Sequence, residues 1–315
     1  MESHAAFVLQ SKKWRGWWIK VSLFIQSIIN GLNQGAIYAL IALGYTMVYG
    51  IIRMINFAHG DFIMVGAYTL FYTVPMMVNY GMPAWLAVIL AIITCVSVGV
   101  AVEVIAYRPV RGAGSMSALI TALAMSVFLE NLAMLLFGAS PKSVTQIFDL
   151  GSVDFLGAKL QLKYLLTIGI GLFIMIALQG FVKKTKLGKA MRAVPQDKVA
   201  STLMGINVNR IITVTFAIGS GLAAVAALMY CSTYPRSTTD MGSMMGLKAF
   251  IAAVLGGIGI IPGAMLGGII VGLIEIFVKV YVSPGWYEAI TYSILIIVLL
   301  VKPSGILGKN VGEKV

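Results

Sequence analysis

Charged residues are scarce in this 315-residue chain: only 11% of its positions are Asp, Glu, Lys or Arg, whereas 59% are hydrophobic. A soluble domain carries about 25% charged residues, so this chain cannot cover a water-exposed surface of its size. Disorder is excluded as well, because it requires low hydrophobicity and high charge. The composition therefore predicts a polytopic helical membrane protein.

Acidic residues are the rarer charged class, with 11 Asp and Glu against 23 Lys and Arg, a net charge of +12. In a soluble protein such an excess would suggest nucleic acid as a partner. In a membrane protein, basic residues instead mark the cytoplasmic ends of the spans. We therefore expect the positive charge to define orientation, and we expect no nucleic-acid partner.

Motifs for metal, redox and nucleotide chemistry are also missing. With two cysteines in apolar runs and two histidines, a disulfide scaffold or a structural zinc site is not expected. Neither a Walker A pattern nor a His-Glu-x-x-His pattern occurs, so the chain has no visible ATP site and no metalloprotease motif. These absences argue against an enzyme and predict that the chain binds no metal or cofactor of its own.

Long apolar runs dominate the chain and predict its architecture. Seven runs are clear, at about 61–79, 84–106, 117–137, 163–182, 211–231, 262–282 and 286–302. The apolar region 17–52 is interrupted at residues 31–35, and we expect two short helices there, roughly 17–33 and 35–52. The prediction is an all-α polytopic integral membrane protein of about eight full transmembrane helices plus short or broken ones, in a single domain over 1–315.

Basic residues cluster in particular loops and predict the orientation of the chain in the bilayer. The segment 183–210 holds seven basic residues against one acid, so we place it in the cytoplasm. Arg108, Arg111 and Lys302 also fall at predicted cytoplasmic ends. Basic residues between 12 and 20 place the N-terminus inside too, which requires two crossings within 17–52; a single crossing would place it outside.

Two segments of the sequence are similar to each other. A shift of 185 residues aligns Gly35–Tyr49 with Ser220–Tyr234 and matches Tyr45 with Tyr230. In the predicted topology these two helices run in opposite directions, as expected for the inverted repeat found in many transporters. The alternative is chance similarity between helices rich in small residues.

Polar residues within apolar sequence are the candidates for a translocation pathway. The run from Asn56 to Asp61 suits a polar gate, although an ordinary loop with Asp61 capping the next helix is the alternative. Glu275 precedes Lys279 by four residues, which also favours a local ion pair. Glu103 lies near a span end and is expected to snorkel towards water. The candidate pathway residues are Tyr38, Tyr45, Thr46, Asn56, His59, Ser126, Glu130, Asn131, Gly256, Gly257 and Glu275.

Glycine is dense between Gly256 and Gly263, which predicts an unwound break in the membrane rather than simple helix packing. Backbone groups freed by such a break cannot face lipid, so the break must be buried in protein or line a cavity. For the tyrosines among the candidates, ordinary packing with satisfied hydroxyl groups is the alternative interpretation.

The cytoplasmic loop carries a second set of candidates. Pro195 and Asp197 favour the start of a short helix, and Gly205 favours its end. A short, charged and capped helix in a cytoplasmic loop suits docking to a partner protein. The alternative is a solvated basic loop.

Together these stretches resemble the H-type permease subunits of the Liv systems, the ATP-binding-cassette importers of branched-chain amino acids. The resemblance runs from about residue 30 to the C-terminal region. It rests on residues 38–50, 54–60, 106–111, 188–207, 248–264 and 303–308, the last beginning with Pro303-Ser304-Gly305.

The resemblance implies a multi-pass protein of the bacterial inner membrane that pairs with a second, homologous permease subunit. It also implies two cytoplasmic ATPases that hold ATP and Mg²⁺, and a periplasmic or lipid-anchored binding protein that delivers leucine, isoleucine or valine. The segment 186–207 looks like the coupling segment of such importers. Its matching residues are Gly188, Lys189, Arg192, Ala193, Asp197, Ala200, Gly205 and Ile206.

Other functions stay open on the sequence. Permeases for urea or short-chain amides resemble the same stretches. A stand-alone channel or an ion-coupled transporter would need no ATPase. An intramembrane enzyme built on Ser220 is disfavoured because His59 is far away in the sequence.

Overall fold

The structure is a computed structural model that describes residues 2–148, 150–155, 158–302 and 304–308. The first half of the chain is almost entirely helical. Its elements are α1 (Glu2–Ile52), a 3₁₀ turn (Phe57–His59), α2 (Asp61–Asn79), α3 (Leu86–Val102), a π-helical turn (Glu103–Tyr107), α4 (Arg108–Val110) and α5 (Ser115–Phe137).

The second half begins with short strands and continues with helices. Its elements are β1 (Lys142–Ser143), β2 (Ser152–Phe155), β3 (Ala158–Gln161), α6 (Leu162–Lys184), α7 (Lys186–Ala193), α8 (Lys198–Leu203), α9 (Val208–Thr233), β4 (Arg236–Ser237), α10 (Met241–Gly256), α11 (Ile261–Tyr281) and α12 (Tyr287–Val301). The strands form two small antiparallel pairs, β1 with β4 and β2 with β3.

Within the described residues, seven helical segments are long and apolar enough to cross a membrane. Helices α10 and α12 are apolar but shorter. The predicted class, an all-α polytopic membrane protein, is therefore confirmed. The predicted spans from α2 onwards agree with the observed helices to within a few residues.

The predicted break at residues 31–35 is wrong, because α1 runs through it as one continuous helix. Gly31 and Gly35 are instead the contact surface for α11. A Cβ atom on Gly35 would lie 2.7 Å from Ile269 Cα, and one on Gly31 would lie 2.8 Å from Leu273 Cδ2. Small residues four apart let two helix backbones approach closely in lipid, so these glycines serve packing and not a turn.

One crossing by α1 also reverses the predicted side of the N-terminus. The C-terminal end of α1 lies on the face that carries the basic loop, since Gly50 lies beside Gly259 and Arg53 lines a cavity with Arg192. The positive-inside rule predicts that this basic face is cytoplasmic. With a single crossing by α1, the same rule predicts that the other end of the span is outside.

Helix α1 is the centre of the bundle. In its most apolar stretch 89% of the residues are buried, against 17% for α6 and 22% for α5, which form the periphery. Helix α9 packs along α1 in the antiparallel sense: Asn33 Nδ2 donates to Thr233 Oγ1 over 3.2 Å, and Gly44 lies beside Gly219 further along. The two helices thus run in opposite directions, as an inverted repeat requires, and the repeat itself stays a prediction.

The predicted glycine-rich break is confirmed: α10 ends at Gly256, and Gly257 adopts a φ of +110°, a conformation that favours glycine. The carbonyl groups that have no helical partner at this break accept hydrogen bonds from the C-terminal segment. Ile306 N donates to Leu255 O over 2.8 Å, and Leu307 N donates to Gly256 O over 3.1 Å. The break is therefore buried at Gly256 and Gly257 and lines a cavity at Gly259, the two arrangements open to irregular backbone in a membrane. Pro303, from the same motif, lies outside the described residues.

The glycine contact between α1 and α11 yields a stability prediction. We expect Gly35→Leu to lower the stability of the protein by about 1–3 kcal/mol or more, because the new side chain collides with the backbone of α11. The matched control is Gly169→Leu on α6, where an added Cβ meets nothing within 4 Å. Thermal melting in detergent would measure both variants, and equal melting temperatures would contradict the packing role of Gly35.

Candidate functional site

Two cavities lie along α1, one towards each face of the bundle. The outer cavity has a volume of about 310 Å³ and reaches α1 at Gln34 and Tyr38. The inner cavity has a volume of about 320 Å³ and reaches α1 at Thr46, Met47 and Gly50. Eight residues separate Tyr38 from Thr46, which is about 12 Å of helix. The cavities thus lie at two levels of α1, share no lining residue, and are separated by the buried residues Ala39 to Tyr45.

Two of the predicted pathway residues meet in the outer cavity. Tyr38 Oη donates a hydrogen bond of 2.6 Å to Glu275 Oε2. The other carboxylate oxygen, Oε1, lies 2.5 Å from Lys279 Nζ and 3.3 Å from Lys248 Nζ. The local Glu275–Lys279 pair is therefore confirmed, but it is only one part of a larger buried group.

Lys248 is the functional candidate that sequence reasoning did not single out. It is 3% exposed, and its ammonium group lies 4.6 Å from the ring centre of Tyr287 and 4.0 Å from Glu288 Oε1. A buried lysine must be paired, and the available acid, Glu275, is 27 residues later in the sequence. Only the fold reveals that partner.

Tyr234 extends the wall of the outer cavity beyond the end of α9. Tyr234 is 40% exposed. Its hydroxyl group is neutral at physiological pH, as in an ordinary tyrosine, and is available as a hydrogen-bond donor.

Aromatic rings fill the section between the two cavities. The ring centres of Tyr45 and His59 are 4.7 Å apart, and those of Tyr45 and Phe250 are 6.1 Å apart. Phe57 lies 5.8 Å from Phe250 on the other side. Tyr45 follows Tyr38 by seven residues on α1, so both lie on one face of the helix. This aromatic barrier, formed by Tyr45, His59, Phe57 and Phe250, lies between the two cavities.

The polar run before α2 is buried in the bundle. Asn56 Oδ1 accepts a hydrogen bond of 2.7 Å from Tyr107 Oη, and the His59 ring lies against Gly44. The alternative role of Asp61 as a helix cap is wrong, because Gly60 holds the cap position and no side chain bonds there. Asp61 is instead the first residue of α2 and is fully buried.

The three polar candidates on α5, Ser126, Glu130 and Asn131, fall into two environments. The carboxyl group of Asp61 faces Ser126 and Glu130 of α5. Asn131, by contrast, is exposed and donates to the Val127 carbonyl of its own helix over 2.7 Å. The structure therefore brings Ser126 and Glu130 to the buried side of α5 and leaves Asn131 out.

The expectation that Glu103 snorkels is also wrong. Glu103 is 0% exposed and accepts hydrogen bonds from Arg108 over 3.0 Å, from Arg111, and from Thr213 over 2.8 Å. Arg111 also donates to Asn209 Oδ1 over 2.9 Å. This cluster ties the π-helical turn to the start of α9. The signal in the sequence was the pair of arginines five and eight residues after Glu103.

The coupling segment forms two capped helices. Gly188 N donates to Thr185 Oγ1 over 2.9 Å at the start of α7, and Ala200 N donates to Asp197 Oδ1 over 2.9 Å at the start of α8. Gly205 has a φ of +80° directly after α8. The predicted start at Asp197 and the predicted end at Gly205 are therefore confirmed, with an additional helix before them.

Helix α7 is fastened to the end of α6. Gly188 packs against the carbonyl groups of Phe181 and Val182, where a side chain would collide. Arg192 Nη2 donates to Lys183 O over 3.3 Å and also lines the inner cavity. Ala193 and Ile206 are half-buried, whereas Lys189 is exposed. The coupling segment therefore touches the inner cavity directly.

Helix α8 presents apolar side chains away from the bundle. Val199 is 71% exposed, and Leu203 and Met204 are each 83% exposed. These residues lie on the basic face, outside the helical segments that are long and apolar enough to span a membrane. Exposed apolar side chains on an otherwise polar surface are typical of contacts with a protein or a membrane.

The candidate break residues Gly256 and Gly257 lie under the C-terminal segment. Gly257 is in contact with Gly308, and Gly256 is in contact with Gly263. It is Gly259 that lines the inner cavity, opposite Thr46 and Gly50. The break therefore contributes Gly259 to the wall of the inner cavity. The sequence indicated this residue only as part of the glycine-rich run.

Comparisons with known proteins agree with this architecture. The chain is 42% identical over 301 residues to the high-affinity branched-chain amino acid transport system permease protein LivH of Salmonella typhimurium, covering 93% of this chain and 98% of that protein. It is 40% identical, with the same coverage, to the permease protein BraD of Pseudomonas aeruginosa and to LivH of Escherichia coli.

The family model described as the permease component of branched-chain amino acid transport systems matches residues 27–300. The match covers both cavities and the aromatic barrier between them. The chain is therefore a multi-pass membrane protein of the bacterial inner membrane, and it belongs to the family of branched-chain amino acid transport system permease components.

Proposed function

We propose that this chain is the permease subunit of an ATP-driven importer that moves leucine, isoleucine or valine into the cytoplasm. The observation that carries the proposal is the line of two cavities along α1, closed by the aromatic barrier and joined at its inner end to the coupling segment. A closed section between two cavities is what alternating access requires. The substrate class is that of the related permeases LivH and BraD, which belong to branched-chain amino acid transport systems.

The proposed partners follow from what this chain lacks and what it exposes. No Walker A pattern occurs in the sequence, so ATP and Mg²⁺ would be held by two cytoplasmic ATPase subunits. Val199, Leu203 and Met204 would be the apolar contacts of one ATPase. A second, homologous permease subunit and a periplasmic or lipid-anchored binding protein complete the proposed assembly.

The coupling step is mechanical. Closure of the ATPases would pull on α8, and Asp197 and Gly205 fix the ends of that helix so that it moves as a unit. Helix α7 transmits the movement through Arg192 to the end of α6 and to the wall of the inner cavity. The inner cavity then narrows as the aromatic barrier opens towards the outside.

Substitutions of the exposed apolar residues on α8 test the proposed docking surface. We expect the double variant Val199→Asp, Leu203→Asp to lose most co-purification of the ATPase subunits, because two carboxylates would be buried without partners. The matched control is Val153→Asp, which is 50% exposed on the outer strand β2. Pull-down from membranes would measure both, and full ATPase recovery with the α8 variant would contradict the docking role.

Arg192 tests coupling separately from docking. We expect Arg192→Ala to lower uptake about tenfold while ATP hydrolysis by the assembled complex continues, because the link between α7 and α6 is cut. Lys186→Ala removes another exposed basic residue of the same helix that is not among the coupling candidates, and it should leave the ratio of uptake to hydrolysis unchanged. A parallel loss of uptake and hydrolysis in Arg192→Ala would contradict the transmission role.

Substrate class is tested by competition. In cells that express the complete importer, unlabelled isoleucine and valine should suppress uptake of labelled leucine, whereas excess urea or acetamide should not. Uptake should also stop when ATP is depleted. Suppression by urea would favour the amide permeases, and uptake without ATP would favour an ion-coupled transporter.

A further inference from the structure

We infer, on the basis of the proposed function, that the outer cavity is a binding site for a zwitterionic α-amino acid with a branched apolar side chain. In this site the ammonium group binds Gln34, the carboxylate binds the basic residues of the cavity, and the side chain packs on methionines of α10. The site holds the substrate directly outside the aromatic barrier.

Gln34 supplies the free acceptor. It lines the cavity, is only 3% exposed, and its Oε1 atom has no hydrogen-bond partner within the described residues. A buried carbonyl oxygen without a donor is unfavourable, so the folded protein carries an acceptor that a ligand can satisfy. The charge of Glu275 is already balanced by Lys248 and Lys279, and Tyr38 bonds its other oxygen, which leaves Gln34 as the unpaired acceptor.

Aromatic faces complete the ammonium site. Tyr38, Tyr230 and Tyr234 line the same cavity as Gln34. The face of a tyrosine ring attracts a cation within about 6 Å. A neutral amide oxygen beside aromatic rings binds an ammonium group without adding a further charge to the buried group around Glu275.

The charge of the cavity favours a ligand carboxylate. Three basic side chains line it, namely Arg236, Lys248 and Lys279, against two acids, Asp240 and Glu275. Arg236 is exposed at the rim, and its backbone is fixed by pairing of β4 with β1. The planar guanidinium group binds a carboxylate in a bidentate manner. Lys248 and Lys279 are paired with Glu275, so Arg236, which has no ion pair among the described residues, is the basic group left for a ligand carboxylate.

Methionines supply the apolar wall. Met241, Met244 and Met245 lie within the first turns of α10 and line the cavity on one face of that helix. Methionine side chains are flexible and polarizable, so they adapt to ligands of differing shape. This wall suits leucine, isoleucine and valine alike, and it offers nothing to urea, which has no side chain.

The test compares Gln34→Met with Asn33→Leu in the complete importer. Asn33 is the neighbouring buried amide, but it bonds Thr233 and does not line the cavity. We expect Gln34→Met to lower leucine transported per ATP hydrolysed about tenfold at an unchanged melting temperature, since a hydrogen bond to a charged group is lost. Asn33→Leu should lower the melting temperature and leave that ratio unchanged.

Any other outcome of this test would contradict the proposed amino-acid site. Wild-type uptake per ATP in Gln34→Met would overturn it, and so would a loss that is matched by a lower melting temperature, which indicates a structural role. If the wild-type importer takes up no leucine, the proposed function fails together with the site. Leucine uptake by the wild type with an unaffected Gln34→Met variant overturns the site alone.

A second variant tests the apolar wall and does not depend on Gln34. Met245→Phe narrows the cavity, so the ratio of leucine to valine uptake should fall severalfold, because leucine is the longer side chain. Leu247→Phe, on the same helix but exposed and outside the cavity, should keep the wild-type ratio. Equal ratios in the two variants would overturn the methionine wall.

Discussion

Close backbone contact between α1 and α11 is the constraint on which the rest of the structure depends. Gly35 on α1 packs backbone to backbone against Gly268 and Gly272 of α11, and Gly31 packs against Leu273 of the same helix. This proximity is what allows Tyr38 to reach Glu275 over 2.6 Å. A bulkier contact would separate the helices, open the outer cavity and leave the carboxylate without its tyrosine donor.

Buried charge is handled in the same way at both ends of the bundle. Glu275 near the outer side has two lysines, and Glu103 near the inner side has two arginines. A charge in the membrane is costly, by about 2.5–3.5 kcal/mol on insertion scales, and leaving a buried partner unpaired costs still more. Each acid therefore joins different helices, whereas the residues of the aromatic barrier form no ion pair within the part of the chain that the structure describes.

Sequence reasoning was reliable where a single segment determines the outcome. Apolar runs located the spans, and Asp197 and Gly205 located the ends of α8, because local caps decide those ends. It failed where a distant partner decides. In the sequence, Gly31 and Gly35 indicate a break, but in the structure they pack against α11. Glu103 likewise indicates the end of a span, but in the structure it pairs with Arg111. Lys248 could not be recognised because its acid lies on another helix.

The C-terminal segment has a consequence for how the glycine-rich break can change shape. Ile306 and Leu307 supply the donors that satisfy Leu255 and Gly256 at the break. If the end of α10 moved without this segment, the two carbonyl groups would lose their donors in a membrane environment. The segment 304–308 and the break between α10 and α11 are therefore expected to move as one structural unit.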